Sequence, residues 1–163
     1  MKPSPIHTTF LSQLKYSNQQ WPDSVPKEVF LSKSNDLMAV ISSNEKTNYV
    51  SVISTFDFIF NRSIRILWQS NFALNLKITA LDFSENPEPT LYYLLAGVIH
   101  LVTVNAGNYS KLDCSEEITT FALMGQELLV FTNNFIGIYS IIPNNIALKR
   151  KVLNYLYKYY QKV

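Results

Sequence analysis

From Glu28 onward, the chain alternates short apolar runs with polar stretches that favour turns. The apolar runs are rich in Ile, Val, Tyr, Phe and Thr, and Asn, Gly, Pro and Ser bound them. Runs of roughly five to eight residues with this composition are typical of strands joined by tight turns. In chain order they read EVFLS, LMAVIS, YVSVIS, SIRILWQS, ITALDFS, TLYYLLAG, VIHLVTV, YSKLDC, EITTFAL, ELLVFT, FIGIYSI and IALKRKV. The pattern predicts an almost entirely antiparallel β domain.

Two of these runs repeat nearly the same sequence. KITALDF begins at Lys77 and EITTFAL begins at Glu117, so that Ile78 and Ile118 lie 40 residues apart. Each begins a set of four runs, and a third set extends over residues 28–70, although its period is not 40. Units of four strands that recur at about 40 residues are the signature of propeller blades.

The runs LYYLLAG and VIHLVTV favour blades over a two-layer sandwich. Both carry apolar residues at successive positions, which is expected when a sheet is packed between two neighbours. A sandwich predicts cleaner alternation of apolar and polar residues, because one face of each sheet meets solvent. A different β-fold of about a dozen strands, in which the repeat is accidental, stays open as the alternative.

The segment SIRILW, from Ser63 to Trp68, has an apolar–basic–apolar run before a Trp. In this it resembles the end of a blade in the WD-repeat-like β-propeller family, and the resemblance covers roughly residues 28–152. The resemblance implies about three antiparallel four-stranded blades of a partial β-propeller. Closed propellers have about 4–8 blades, so the two terminal faces of three blades are expected to be open. Either the chain is part of a longer protein, or other protein subunits cover these faces.

Prolines and charge divide the chain into three segments. Residues 1–27 contain Pro3, Pro5, Pro22 and Pro26 and are predicted to form an extended arm. Residues 28–147 are predicted to form the propeller-like body, with units of about 28–70, 78–115 and 118–147. Residues 148–163 are predicted to form a short, basic and aromatic C-terminal helix.

The C-terminal segment LKRKVLNYLYKYYQKV concentrates positive charge. The net charge of the chain is +2, yet its last 36 residues contain five basic and no acidic side chains. Read as a helix, the segment places Val152 and Leu156 on one apolar stripe. The predicted partner-binding residues are Lys149, Arg150, Lys151, Tyr155, Lys158 and Lys162. A groove on a protein ranks first as their target, nucleic acid second and a membrane surface third; packing on the body is the alternative without a partner.

Composition excludes several classes of protein. With 163 residues, 47% of them hydrophobic and 16% charged, the chain can bury the core of one folded domain. One cysteine cannot form an internal disulfide, and one cysteine with two histidines is too few for a structural zinc site. The N-terminus lacks the apolar region of a signal peptide, and the longest apolar run, Tyr92–Val104, is shorter than the ~20 residues of a membrane-spanning helix. We therefore expect an intracellular protein, cytoplasmic or nuclear, without a transmembrane segment.

The residues that could carry chemistry do not form a catalytic pattern. His100 lies among large apolar residues and is expected to be buried and satisfied by a backbone group. Cys114 has acidic neighbours, which raise a thiol pKa, so we expect a structural cysteine. Asp82 is expected to cap a turn or bond within its blade, and Glu116 and Glu117 face opposite sides of a strand. The sequence predicts no catalytic, cofactor or metal site.

Three functional hypotheses follow from these observations. The first is a non-enzymatic protein–protein interaction scaffold, a subunit of a multisubunit complex; the second is a nucleic-acid-associated factor that uses the basic tail; the third and weakest is an enzyme. In the first hypothesis, the isolated chain self-associates through its open faces. Alternatively, the arm, with Phe10, Leu14 and Trp21, covers one open face and the C-terminal helix covers the other.

Overall fold

The computed structural model describes residues 21–85, 88–142 and 145–153 of the chain. Within these ranges it contains twelve β-strands and one short helix. The first four strands and the helix are β1 (Val25–Leu31), β2 (Leu37–Ser43), β3 (Asn48–Ser54), α1 (Thr55–Phe60) and β4 (Ile66–Phe72). The others are β5 (Ile78–Ser84), β6 (Thr90–Leu95), β7 (Val98–Thr103), β8 (Asn108–Lys111), β9 (Ile118–Met124), β10 (Glu127–Thr132), β11 (Phe135–Ile142) and β12 (Asn145–Leu153).

The twelve described strands form three antiparallel four-stranded sheets. Strands β1 to β4, β5 to β8 and β9 to β12 each pair in chain order, so every sheet is a simple meander. Such sheets are the blades of a propeller, and the fold is a partial β-propeller, as the sequence predicts. The chain divides between Leu76 and Lys77 into two compact units, with the first sheet in one unit and the second and third sheets in the other.

In the first unit, a hydrophobic core covers one face of the first sheet. Met38 and Val40 of β2 lie on this face with Ile53 of β3, and all three are buried. Phe58 of α1 and Ile64, which follows the helix, pack against them. Trp21, Val29 and Ile66 add partly buried contacts to the cluster. Trp21, at the end of the predicted N-terminal arm, thus packs against this core. Phe10 and Leu14 lie outside the described residues, so the covering of an open face by the arm stays a prediction.

Helix α1 lies in the connection between β3 and β4, where the sequence analysis predicted no helix. The Ser54 hydroxyl accepts a hydrogen bond from the Asp57 backbone N–H at 3.3 Å, which satisfies a donor of the first turn. The Asn61 backbone N–H donates to the Asp57 carbonyl at 3.1 Å, and Arg62 then takes a positive φ of 50°. A left-handed residue directly after a helix is a common way to end it.

In the second unit, the core lies between the second and third sheets. It contains Tyr92, Leu94, Ile99 and Leu101 from the second sheet, and Phe121, Leu128, Val130, Tyr139 and Ile141 from the third. On each strand these residues occupy alternate positions, so a single face of each sheet turns toward the other. Burial raises the pKa of Tyr92 to about 12, so its hydroxyl stays protonated.

The 40-residue repeat marks one structural position in two successive blades. Ile78 is the first residue of β5 and Ile118 the first residue of β9, and both side chains are buried. The Ile118 backbone N–H donates to the carbonyl of Gly97 at 2.9 Å, which ties the start of β9 to the turn between β6 and β7. Gly97 has a φ of +76°, and the Cγ of Glu117 lies only 2.3 Å from where a Cβ on Gly97 would be. Only glycine fits this junction without strain.

The predicted C-terminal helix is wrong over the residues that the structure describes. Residues 148–153 belong to β12, which pairs with β11 so that Leu148 lies opposite Tyr139 and Val152 opposite Ile136. A helix from Leu148 would leave the outer backbone groups of β11 without partners, and unmade backbone hydrogen bonds cost more than helix propensity gains. The remaining predicted helical residues, 154–163, lie outside the described part of the chain.

The boundaries of the predicted units also shift. Strand β1 begins at Val25 and not at residue 28, because Pro26 is tolerated in this edge strand at the point where the pairing register shifts. Strand β8 ends at Lys111, and the last sheet continues to Leu153 through β12.

Candidate interaction site on the last sheet

The third sheet carries a second apolar face, which we call the outer face. It consists of Leu129 and Phe131 on β10 and Ile136 and Ile138 on β11, with Phe131 paired to Ile136 and Leu129 paired to Ile138. These four side chains are half-buried. Because they alternate with the buried residues of the core between the sheets, they point away from the second sheet. The outer face is therefore an apolar face of the third sheet that the second sheet does not cover. That it is open to a partner stays a prediction.

Two of the predicted partner-binding lysines make contacts within the last sheet. The Lys149 ammonium lies 3.2 Å from the Glu127 carboxylate in an exposed ion pair. The Lys151 ammonium lies 3.9 Å from the centroid of the Phe135 ring, a cation–π contact. The Arg150 side chain and residues Tyr155, Lys158 and Lys162 lie outside what the structure describes. Partner binding by this basic segment stays a prediction.

A groove of about 380 Å³ opens beside β12, between the segment that follows β8 and the last two strands. It is lined by Leu112, Asp113, Cys114, Ser115, Phe135, Tyr139, Ile146, Leu148 and Lys151. Burial is the main cause that raises the pKa of Tyr139 to about 12, and a hydrogen bond with Cys114 adds to it. The Cys114 thiol thus shares a hydrogen bond with the protonated Tyr139 on the wall of the groove. This contact fits the expectation of a structural cysteine.

The acidic residues singled out in the sequence hold backbone and turns in place. Glu116 accepts hydrogen bonds from the Thr132 hydroxyl and from the Asn134 side-chain amide, both at 2.9 Å, and so fastens the turn between β10 and β11. Asp82 accepts from the backbone N–H of Phe83 at 2.8 Å. Among the described residues, no three His, Cys, Asp or Glu side chains converge as metal ligands would.

His100 belongs to an aromatic cluster of the second sheet. Its ring stacks on that of Tyr93, with centroids 4.7 Å apart and planes 7° from parallel. Its Nδ1 is hydrogen-bonded to the hydroxyl of Tyr109 at 2.5 Å. The expectation of a buried histidine is right, but its partner is this side chain and not a backbone group. Burial, with a smaller effect from Lys111, lowers the pKa of His100 to about 4, so the ring is neutral at pH 7.

The lowered pKa of His100 predicts a specific loss of stability in acid. Below pH 6.5, the ordinary pKa of histidine, the unfolded chain binds a proton at His100 that the folded chain does not bind until about pH 4. The free energy of unfolding should therefore fall between these values, by on the order of 2–3 kcal/mol from this residue alone. Chemical denaturation across this pH range should show a flatter pH dependence for His100→Gln than for the wild type. Parallel curves for the two proteins would contradict the prediction.

Comparisons with known proteins identify the fold of the chain. No protein-family model matches the sequence, and no curated protein matches it. The periplasmic gluconolactonase PpgL of Pseudomonas aeruginosa is 18% identical, with a TM-score of 0.51 over 80% of this chain and 40% of its own. The N-terminal domain of Nup159 is 14% identical, with a TM-score of 0.49 over 82% of this chain and 31% of its own. Hsv2p of Kluyveromyces lactis is 8% identical, with a TM-score of 0.45 over 78% of this chain and 37% of its own.

These three neighbours are β-propeller proteins. At 18% identity, the likeness to the gluconolactonase shows a shared fold and says nothing about activity. The chain spans between 31% and 40% of the length of these structures. The predicted propeller fold is confirmed, whereas the resemblance to the WD-repeat family stays a prediction. In the part of the chain that the structure describes, no helix has both the length and the apolar character needed to cross a membrane.

The sequence predicted apolar blade faces but did not identify the residues that form the outer face. The four residues of the outer face lie in ELLVFT and FIGIYSI, where nearly every position is apolar, so the pattern does not separate the two faces. The register between β10 and β11 decides which side chains lie on the same face as Leu129. Sequence reasoning also missed the surface of α1, although three aromatic residues in the six-residue segment TFDFIF were a visible signal.

Proposed function

We propose that this chain is a non-enzymatic protein–protein interaction scaffold, a partial propeller that works as a subunit of a multisubunit complex inside the cell, in the cytoplasm or the nucleus. The outer face of the third sheet is the observation that carries the proposal. The proposed partner of the outer face is an antiparallel sheet of another protein subunit. This sheet packs face to face on Leu129, Phe131, Ile136 and Ile138.

The packing of the opposite face supports a sheet as the partner of the outer face. The opposite face of the third sheet, with Leu128, Val130 and Tyr139, packs on the second sheet and is buried. The outer face has the same kind of side chains at the alternate positions of the same strands. A neighbouring sheet would gain about 25 cal/mol for each Å² of apolar surface that it buries there.

Paired lysine substitutions on the outer face test the proposal. The double variant Leu129→Lys/Ile138→Lys should still form the sheet, because a lysine side chain is long enough to reach water from a half-buried position. We expect the wild-type chain to self-associate and the double variant to do so at least about a hundredfold more weakly, since it loses two apolar contacts. Sedimentation velocity measures the association, and circular dichroism confirms the β structure.

Asn133→Lys provides the matched control, because it adds the same charge at the exposed turn between β10 and β11. This variant should associate like the wild type. A cellular partner that co-purifies with the wild type and with Asn133→Lys, but not with the double variant, would identify the covering subunit. A stable wild-type monomer, or association that the double variant leaves unchanged, would refute the role of the outer face.

A further inference from the structure

Helix α1 exposes three large apolar side chains on one side. Phe56 is 61% exposed, Ile59 47% and Phe60 69%. Their spacing of three and four residues places them on the same face of a helix. The rings of Phe56 and Phe60 lie 4.9 Å apart and form a continuous apolar surface. Single exposed apolar residues are ordinary, but three adjacent ones on one short helix mark an interaction surface.

The helix presents this surface rigidly. Phe58, on the opposite side of α1, is buried in the core of the first unit, and Ile64 anchors the chain just after the helix. The Thr55 backbone N–H donates to the Asp36 carbonyl at 3.0 Å, and the Asn61 side-chain amide donates to the Asp57 carboxylate at 2.9 Å. A preformed surface loses little conformational entropy when it binds. The three exposed side chains are therefore held ready for a contact.

Opposite charges lie at the two ends of α1. At its beginning lies the exposed Asp36, whose carbonyl bonds to the first residue of the helix. Beyond its end lie the exposed Arg62 and the Arg65 side chain, which is 4.0 Å from the carboxylate of Asp57. An anionic membrane would attract the arginines but repel the two acids. When a second copy of the same helix packs antiparallel, the acidic end of each helix lies against the basic end of the other. The two helix dipoles then point in opposite directions, which is also favourable.

We propose that α1 is a contact site between two copies of this chain. The two helices pack antiparallel about a two-fold axis, with the apolar trio of Phe56, Ile59 and Phe60 of each copy against that of the other. Asp36 of each copy then lies near Arg62 of the other, which makes the surface self-complementary, as a two-fold interface requires. The trio offers on the order of a few hundred Å², less than the ~800 Å² per partner of stable interfaces. The dimer is accordingly weak and forms at high protein concentration.

Cysteine cross-linking tests this arrangement independently of the outer face. The background carries Cys114→Ser, which removes the native thiol, together with Leu129→Lys and Ile138→Lys, which remove association through the third sheet. Ile59→Cys places a thiol at the centre of the proposed contact, and Lys46→Cys places one at an exposed turn between β2 and β3 as the control. The same pair of variants in the Cys114→Ser chain with its native outer face covers the case that the lysine background folds poorly.

We expect a disulfide-linked dimer with Ile59→Cys under mild oxidation, and little with Lys46→Cys. Adding Phe56→Ser and Phe60→Ser should abolish the cross-link. In sedimentation experiments without the added cysteine, Arg62→Glu should weaken the dimer about fivefold, since it turns two attractive pairs into repulsive ones. Asp36→Lys together with Arg62→Glu should restore it.

Three results would overturn the proposal. The first is cross-linking through Ile59→Cys that does not exceed that through Lys46→Cys. The second is no change in association with Arg62→Glu, which excludes the antiparallel arrangement. The third is a chain that stays monomeric at all concentrations but co-sediments through Phe56 and Phe60 with vesicles of phosphatidylcholine and phosphatidylserine, which would assign α1 to a membrane surface.

Discussion

Replacing Tyr92 by alanine is expected to lower the free energy of unfolding by about 3–5 kcal/mol. Tyr92 is 1% exposed and lies in the core between the second and third sheets, with its ring 6.4 Å from that of Phe121. Removal of the ring loses its burial and leaves a cavity that the sheets on either side cannot close, because paired strands move little. Urea denaturation followed by circular dichroism measures the change.

Tyr92→Phe separates the contribution of the ring to stability from that of the hydroxyl. This variant keeps the buried aromatic surface and removes only the polar group, whose burial raises the pKa of Tyr92. We expect a change in stability below about 1 kcal/mol, of either sign. A loss in Tyr92→Phe as large as that in Tyr92→Ala would show that the hydroxyl, and not the packed ring, stabilises the site. A small loss in Tyr92→Ala would show that the two sheets do not depend on this core.

The strands of this fold follow from the sequence because their signals are local. Apolar runs of β-branched and aromatic residues, interrupted by turn residues, mark the twelve described strands, and the repeat of Ile78 at Ile118 marks one position in successive blades. Sheets with apolar residues on both faces distinguish blades from a sandwich, as the fully buried β6 shows. These signals depend on composition and spacing alone, so the fold class could be predicted without coordinates.

The C-terminal strand received two conflicting predictions, because IALKRKV was among the strand runs and residues 148–163 were also predicted to form a helix. LKRKVL has no Pro or Gly and places apolar residues at helical spacing, so its local pattern favours a helix. Its pairing with β11 overrides that preference, because the unpaired edge of Phe135–Ile142 needs hydrogen-bond partners. The requirement comes from the neighbouring strand, and it decides between the two patterns that the segment itself contains. Tertiary context decided the structure here.

The candidate sites depended on register and on packing, which a single sequence does not contain. Tyr109 is nine residues from His100, yet the pairing of β7 with β8 brings its hydroxyl to the histidine ring. The sequence assigned His100 a backbone partner because no side chain near it in sequence suggested another. Likewise, the basic segment was predicted to bind a partner because of its charge. In the structure, Lys149 contacts Glu127 and Lys151 contacts the Phe135 ring. These contacts do not test partner binding by the basic segment, which stays a prediction.

Phe58→Ala is expected to destabilise the first unit by about 3–5 kcal/mol, because this is the one aromatic residue of α1 that the fold buries. Phe58 is 3% exposed and packs with Met38, Val40 and Ile53. Its loss should also detach the helix from the first sheet, since α1 is too short to be stable without tertiary packing. Thermal denaturation followed by circular dichroism measures the change in stability.

Phe56→Ala and Phe60→Ala are the matched controls for Phe58→Ala, since each removes the same ring from the same helix. Both side chains are exposed, so at low protein concentration each variant should lose less than about 0.5 kcal/mol. For association between copies the expected effects are reversed, because the exposed rings of Phe56 and Phe60 form the proposed contact. Phe58 affects this contact only by holding α1 in place. Phe58→Leu, which keeps most of the buried volume, should therefore retain both the fold and the Ile59→Cys cross-link. Equal losses of stability in all three alanine variants would mean that α1 does not pack on the first sheet through Phe58, and the proposed contact would lose its rigid support.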